Sequence, residues 1–442
     1  MAVLRVLGGP PLRGAVRALG AKNAALPLLA AAVAAQTPTE LVGVPALSDV
    51  SVMLQILDSL GARVSTRPAV DGQLCVVVDG AAAGGHVVPP ELMARMRSSV
   101  FLLGPLLGRF GRATITYPGG CDIGARPIDL HLRGLARLGA RFEEHDGVIE
   151  AAAPAGGLVA AEVRLDLPSV GATENLMMAA APARGESVIA NAAREPEIQA
   201  LARYLNAAGA VVSGAGESVV RVKGVPRLHG VRQVVMPDRI ESGTLLLAAA
   251  GTGGEVRIDG AVGDHLGALT AVLRASGAEV AVEQGAISVR GPVDGRPLPV
   301  DVRTLPYPGF PTDLQPVLLA YLVRGRGASV VQETIFENRF GHASALVRMG
   351  ARIRVVGRTA VVDGVRALTG ARVAAGDLRA AGALVVAALA AEGESEVLGL
   401  DHLERGYQDL GARLSRLGAR VERCEEGDGA PKGRTEREAR VS

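Results

Sequence analysis

The sequence predicts an α/β fold made of six repeated helix–strand–helix–strand units in two domains of three. Two observations carry this. A short helix-ending phrase recurs six times at a spacing of roughly 70 residues, and an Ala- and Leu-rich helical run precedes each copy. The phrases are LDSLGARV (57–64), LARLGARF (135–142), LNAAGAVV (205–212), LRASGAEV (273–280), LVRMGARI (346–353) and LSRLGARV (414–421). Their Gly-Ala pairs begin at 61, 139, 209, 277, 350 and 418.

Each element of the unit follows from local chemistry. Apolar residues three or four apart make the buried stripe of a helix. The glycine after it takes the left-handed conformation that ends the helix, and the β-branched or aromatic residue that follows starts a strand. Upstream, the first helices read KNAALPLLAAAVAA, RSSVFLLGPLLGRF, ATENLMMAAAPA, ESGTLLLAAAG, TDLQPVLLAYLVRG and DLRAAGALVVAALAAEG. Each leads into a Val-, Ile- or Thr-rich strand such as ATITYP or SVIANAA. Helices apolar on most sides belong inside, between sheets. The charged, Gly-containing tail 425–442 cannot bury enough apolar surface to order itself and is expected to be disordered.

Composition narrows the function. The chain has 442 residues, 48% hydrophobic, with a net charge of +2. That charge gives no reason to expect nucleic acid or an acidic membrane as partner. Aromatic residues are 2% with no Trp, too few for a base-stacking surface. The three cysteines, Cys75, Cys121 and Cys424, make no disulfide framework and fit a reducing compartment. The seven histidines lack ligand spacing, so no metal is expected. No basic stretch followed by an apolar run opens the chain. The apolar run 24–35 contains Pro27 and is too short to span a bilayer. A cytoplasmic protein without membrane insertion is expected. Neither a P-loop nor a dinucleotide fingerprint occurs in strand–turn–helix context, so ATP and NAD are not implied.

The polar residues fall at helix starts. First helices are entered by Lys22 and Asn23, Arg97, Ser169 to Gly171, Asp238 to Glu241, Asp313, and Asp377 with Arg379; second helices by Asp49, Arg126 with Asp129, Arg194 with Glu197, Asp264, Arg339, and Arg405. Repeat symmetry would bring such helix ends round one cleft, where backbone N–H groups and helix dipoles favour an anion. Acids at these places are also ordinary caps. Cations are not: Lys22, Arg97, Arg126 and Arg405 would oppose the dipole, and four repeated violations point to function. Cys121 lies in YPGGCDIGARP (117–127), a Gly- and Pro-rich loop beside Arg126, unlike Cys75 in LCVVV. A neighbouring cation lowers a thiol pKa and suits acid–base or nucleophilic work, and the glycines suit a lid. The alternative is a tolerated loop thiol.

These motifs resemble the UDP-N-acetylglucosamine 1-carboxyvinyltransferases, which begin peptidoglycan synthesis. The resemblance runs from about Leu4 to Arg423 and rests on GAKNAALP (20–27), PGGCDIGARPIDLHL (118–132), SVGATEN (169–175), NAAREPEI (191–198), MPDRIE (236–241), FPTDLQ (310–315), ETIFENRF (333–340), DLRA (377–380) and ERGYQDL (404–410). It implies an inside-out α/β barrel, with 21–236 as the N-terminal domain, and 1–20 with 237–424 as the C-terminal domain. It implies transfer of the enolpyruvyl group of phosphoenolpyruvate to the 3′-hydroxyl of UDP-N-acetylglucosamine, with no cofactor. Cys121 would donate the proton to C3, and Asp313 would take the hydroxyl proton. Lys22, Arg126 and Arg405 would hold phosphate and carboxylate, and Asn23 would orient the reacting groups. The nucleotide sugar would meet Arg97, Arg126, Pro127, Ile128, Asp129, Leu130, Ser169, Val170, Gly171, Asp313 and Ile335. Asp238, Asp377 and Arg379 would support this set from behind. Some members carry Lys where this chain has Leu167, and Lys where it has Ser48. Cys at 121, where some relatives have Asp, predicts alkylation by fosfomycin. A shikimate-pathway enolpyruvyl transferase, and a paralogue that binds nucleotide sugar and is either non-catalytic or serves a specialised pathway, are the rival readings.

Overall fold

A computed structural model describes residues 2–119 and 128–425 of the chain. Cys121, Arg126 and Pro127 therefore lie outside the described residues, as does the tail from 426.

The recurring glycines do what the phrase requires. Gly61, Gly139, Gly209, Gly277, Gly350 and Gly418 have φ between +86° and +108°, a region L side chains rarely adopt. Each turns the chain from its second helix into a strand, such as Arg63–Pro68 or Arg141–His145. The central helices Lys22–Ala32, Val170–Ala180, Arg239–Gly251, Gln315–Leu322 and Leu378–Leu389 are buried on nearly every side. Ala-, Leu- and Gly-rich surfaces let them approach each other closely. The second unit departs from a plain helix: Arg97–Leu102 is a 3-10 turn leading into the helix Leu103–Phe110.

The sheets hold more strands than the repeat pattern implies, which is two per unit. Among the described residues, five of the six units have a four-stranded sheet of the same order, and the second unit has three strands. The strand after the first helix is central, as in Glu186–Ala190. It pairs parallel with a short edge strand, Glu162–Arg164, and antiparallel with a return strand, Val219–Lys223, which pairs with Val211–Ser213. Edge strands of two or three residues are too short to show a period of two, and the return strands follow tight turns that lie outside the repeated phrase.

The sixth unit shows how the chain closes. Its return strand is the beginning of the chain, Ala2–Leu7, inserted antiparallel between Glu394–Leu398 and Arg420–Glu425. Glu425, counted above with the tail, is thus part of a strand. Arg13–Arg17 likewise supplies the parallel edge of the fourth unit against Glu255–Asp259, and Arg232–Val234 that of the first against Thr39–Val44. Two separate hydrophobic clusters result, one from Ala21 to Met236 and the other from residues 4–18 with 240–419. The chain passes between them twice, side by side. The Ala21 N–H donates to the Met236 carbonyl and the Asp238 N–H to the Leu19 carbonyl, both at 2.7 Å. Among the described residues no helix is long and apolar enough to cross a membrane.

Candidate active site

Where the clusters meet, charged side chains from both converge. Lys22 opens its helix, whose preceding residue Ala21 has no capping side chain. Its backbone N–H instead reaches the Asp238 carboxylate at 3.4 Å, and its ammonium lies 2.5 Å from Asp49 Oδ2. The other Asp49 oxygen, Oδ1, accepts from Arg405 Nε at 2.9 Å. One buried carboxylate thus joins a cation of the first cluster to a cation of the second, across 356 residues of sequence. Burial lowers the Lys22 pKa, the Asp49 charge pulls it back up, and Arg379 and Arg405 lower it again. The position of Arg405 corrects the sequence reading. It does not start a helix but follows the short helix Leu400–Leu403, and Asp409 caps the next one, Leu410–Arg416.

Beside this lies a second constellation. Asp313, in the 3-10 turn Thr312–Leu314, accepts from Arg339 on Oδ1 at 2.8 Å and from Arg379 on Oδ2 at 2.7 Å. Burial alone would raise its pKa, but Arg379 and then Arg339 hold it well below the usual carboxylate range. Arg379 is positioned by Asp377, which caps its helix through the Arg379 and Ala380 N–H groups. The Arg379 guanidinium lies 5.6 Å from the centre of the Tyr407 ring, within the range of a cation–π attraction. Asp238 caps Arg239–Gly251 in the same way, through Ile240 and Glu241. Ile335 is held by Glu333, whose Oε1 accepts from the Ile335 and Phe336 N–H groups while its Oε2 accepts from the Thr312 hydroxyl. Glu333 therefore fixes Ile335 relative to the Asp313 turn. Asn23 is half-buried one residue after Lys22.

The nucleotide candidates gather at another helix start. Ser169 caps Val170–Ala180 through the Ala172 N–H at 3.3 Å. Gly171 lies against the His131 ring, where a Cβ would come 3.2 Å from Cε1. His131 is fixed by Asn175 at 2.9 Å, and burial, with the nearby Arg97 charge, lowers its pKa to about 4. Arg97 Nη1 donates to the Pro118 carbonyl at 3.4 Å. Ile128, Asp129 and Leu130 begin the helix Asp129–Arg137 that carries His131.

Several residues here were not among the sequence candidates. Asp49 stands at a helix start, but nothing local distinguishes an acid that caps from one that bridges two halves of a chain; Arg339, read from the sequence as entering a helix, lies in the turn before Ala343–Arg348. Arg239 and Glu197 form a buried ion pair at 3.0 Å between the clusters, and Glu195 Oε1 accepts from the Tyr307 N–H at 3.3 Å alongside it. Glu174 is fully buried, and neither carboxylate oxygen has a hydrogen-bond partner among the described residues. Burial, then Glu197 and Glu195, raise its pKa well above the ordinary value.

Comparison with known proteins agrees with this architecture. The family EPSP synthase (3-phosphoshikimate 1-carboxyvinyltransferase) matches residues 6–414. UDP-N-acetylglucosamine 1-carboxyvinyltransferase 1 of Symbiobacterium thermophilum is 51% identical over 420 residues, covering 95% of this chain and 94% of that protein. The enzyme UDP-N-acetylglucosamine 1-carboxyvinyltransferase from Finegoldia magna is 45% identical over 425 residues, covering 96% and 99%. Among solved structures, the enolpyruvyl transferase NikO of Streptomyces tendae superposes with a TM-score of 0.85 at 26% identity, covering 96% of this chain and 98% of that one. An EPSP synthase of Acinetobacter baumannii shares the fold, with a TM-score of 0.71 at 18% identity, covering 96% and 100%. Identity and coverage on this scale leave one conclusion: this chain is an enzyme of the UDP-N-acetylglucosamine 1-carboxyvinyltransferase family, with the α/β fold of the enolpyruvyl transferases.

Proposed function

We propose that this protein transfers the enolpyruvyl group of phosphoenolpyruvate to the 3′-hydroxyl of UDP-N-acetylglucosamine, releasing phosphate, as the first committed step of peptidoglycan synthesis in the cytoplasm. The observation that carries the reading is the meeting of Lys22 and Arg405 on Asp49 beside the Asp313–Arg339–Arg379 group. Cations from both halves face one place, as a small dianion requires. Residues 21–236 act as one domain, and 1–20 with 237–424 as the other. The central helices and outer sheets are read as the inside-out barrel, with the cleft between the domains.

In this reading the sugar hydroxyl oxygen bonds to C2 of phosphoenolpyruvate while the Cys121 thiol gives its proton to C3 and Asp313 takes the hydroxyl proton. The tetrahedral intermediate then returns a C3 proton to the thiolate left on Cys121 as the C2–O bond to phosphate breaks, restoring the double bond and the thiol. Asp313 is a weak base between two arginines, so the proton moves to it only as the new C–O bond forms and the oxygen becomes acidic. Lys22, Arg405 and Arg126 hold the phosphate and carboxylate, and Asn23 orients the hydroxyl. Arg97, Arg126 to Leu130, Ser169 to Gly171 and Ile335 hold the nucleotide sugar. Asp238, Asp377 and Arg379 keep the helix starts in place.

The test is phosphate release from phosphoenolpyruvate with UDP-N-acetylglucosamine, with and without fosfomycin, on wild type and Cys121→Ala. Sugar-dependent release that fosfomycin blocks and the substitution depresses is expected. Folded protein that releases phosphate only with shikimate 3-phosphate, or with neither acceptor, would overturn the reading.

A further inference from the structure

The turn that carries Arg405 belongs to the second hydrophobic cluster but faces the first. It runs from Glu404 to Asp409, between the helices Leu400–Leu403 and Leu410–Arg416. Gly406 and Tyr407 anchor it on its own side. Tyr407 is fully buried, with its hydroxyl 3.0 Å from that of Thr244, and a Cβ on Gly406 would come 2.6 Å from Leu378. Glu404, Arg405 and Gln408 reach across. The Glu404 carbonyl accepts from the Ser48 N–H at 3.3 Å, and Arg405 donates to Asp49. Gln408 Oε1 accepts from the Ala46 N–H at 2.8 Å, and its Nε2 donates to the Asp71 carbonyl at 3.1 Å.

Both partners of Gln408 are backbone groups fixed in the first half. Ala46 lies on the approach to the helix Ser48–Ser59 that carries Asp49. Asp71 lies in the 3-10 turn Val70–Gly72. The next residue, Gln73, accepts from the Gly20 N–H at 2.7 Å, beside the place where the chain passes between the clusters. Gln408 also lies on the backbone of Gly72, where a Cβ would come 3.1 Å from its Nε2. An ion pair at the end of a long arginine does not fix the backbone that bears it, because the side chain keeps its rotamers. An amide bonded at both ends, one residue from a buried tyrosine, does fix it.

We infer that Gln408 is a positioning residue: it clasps the first half at Ala46 and Asp71 and so sets Arg405 against Asp49 and Lys22. It touches no reacting atom and acts through Arg405. What it does for the reaction rests on the reading above, in which Arg405 and Lys22 hold the phosphate and carboxylate.

The experiment uses Gln408→Met, which keeps the length of the side chain and removes both hydrogen bonds, alone and with Asp49→Asn. Amide exchange tests the clasp without turnover. The Ser48 N–H bonds Glu404, not Gln408, so its protection reports the whole turn. It should exchange about tenfold faster in Gln408→Met, while the helix Lys22–Ala32 keeps its protection. In turnover, kcat/KM for phosphoenolpyruvate should fall about tenfold. In the Asp49→Asn background the same substitution should cost about twofold or less, because the contact it serves is already broken. The Arg405 charge lowers the Lys22 pKa. A turn that drifts away should therefore let the alkaline limb of kcat/KM move to higher pH, which loosened packing alone would not do. Unchanged exchange at Ser48 would overturn the clasp. Faster exchange with an unmoved alkaline limb and additive losses would overturn its action through Arg405. Wild type that releases no phosphate with UDP-N-acetylglucosamine would overturn the substrate reading instead, and exchange at Ser48 would still decide whether Gln408 holds the turn.

Discussion

At the scale of single residues, two buried acids do opposite things. Asp49 is paired on both oxygens and keeps charge on Lys22 against the cost of burial. Asp49→Asn removes that support, so Lys22 loses its proton at lower pH. The alkaline limb of the pH profile for kcat/KM should move to lower pH, with kcat/KM at neutral pH falling on the order of a hundredfold. An unmoved alkaline limb would show that Asp49 does not set the charge of Lys22. Glu174 has no hydrogen-bond partner among the described residues and a folded pKa above its unfolded value, so between those values the folded state binds more protons. Stability is therefore lost as pH rises above about 4.5, at up to roughly 1.4 kcal/mol per pH unit. Glu174→Gln should match wild type in urea unfolding near pH 4.5 and exceed it at pH 8; equal midpoints at both pH values would refute this. The sequence displayed Lys22 because a cation at a helix start is locally odd, whereas Asp313, an ordinary cap by its local pattern, and Arg405, which reads the same way but starts no helix, take their roles from the family resemblance. The sequence hid what Glu174 and Asp49 do, since a partner 356 positions away, or none at all, leaves no local mark.

At the scale of elements, the helix-ending phrases were legible because each carries its own physics: a stripe, a glycine, a strand. The helix contacts were less so. Gly104 in Leu103–Phe110 packs against Val170–Ala180 so closely that a Cβ would lie 2.3 Å from the Asn175 carbonyl oxygen. The Gly104 N–H also donates to Asn175 Oδ1 at 2.6 Å, while Asn175 Nδ2 bonds the Val100 carbonyl and His131. This one asparagine ties the glycine, the 3-10 turn that begins with Arg97, and the histidine under Gly171. Gly104→Ala must push the helices apart, costing about 1–3 kcal/mol, and should also weaken nucleotide binding by shifting His131. Chemical denaturation with calorimetric titration of uridine diphosphate checks both; a destabilised variant with wild-type affinity would separate the packing from the site. Edge strands such as Glu162–Arg164 escaped the reading because two or three residues show no period, and the return strands, such as Val219–Lys223, because they lie outside the repeated phrase.

At the scale of the whole molecule, six repeats predicted two halves, but they did not by themselves show which half owns the start of the chain. Strand Ala2–Leu7 occupies a sheet otherwise made from residues 372–425, so the second cluster cannot finish its last sheet without the first residues of the sequence. Val6 is fully buried there, paired with Ser395 on one side and Val421 on the other. Val6→Asp puts an unpaired charge into that core, at a cost above about 4 kcal/mol. Because the two hydrophobic clusters share no core residue, the damage should stay in one of them. Amide exchange should lose protection across 240–421 while helices such as Lys22–Ala32 and Val170–Ala180 keep theirs. Uniform loss along both halves would instead mean that the polar contacts between them, Arg239 with Glu197 and Lys22 and Arg405 with Asp49, couple the clusters into one unfolding unit. That outcome would also bear on catalysis: a cleft closed by bonds that strong would resist opening between turnovers, whereas independent halves joined by a few ion pairs can part and rejoin around the substrate.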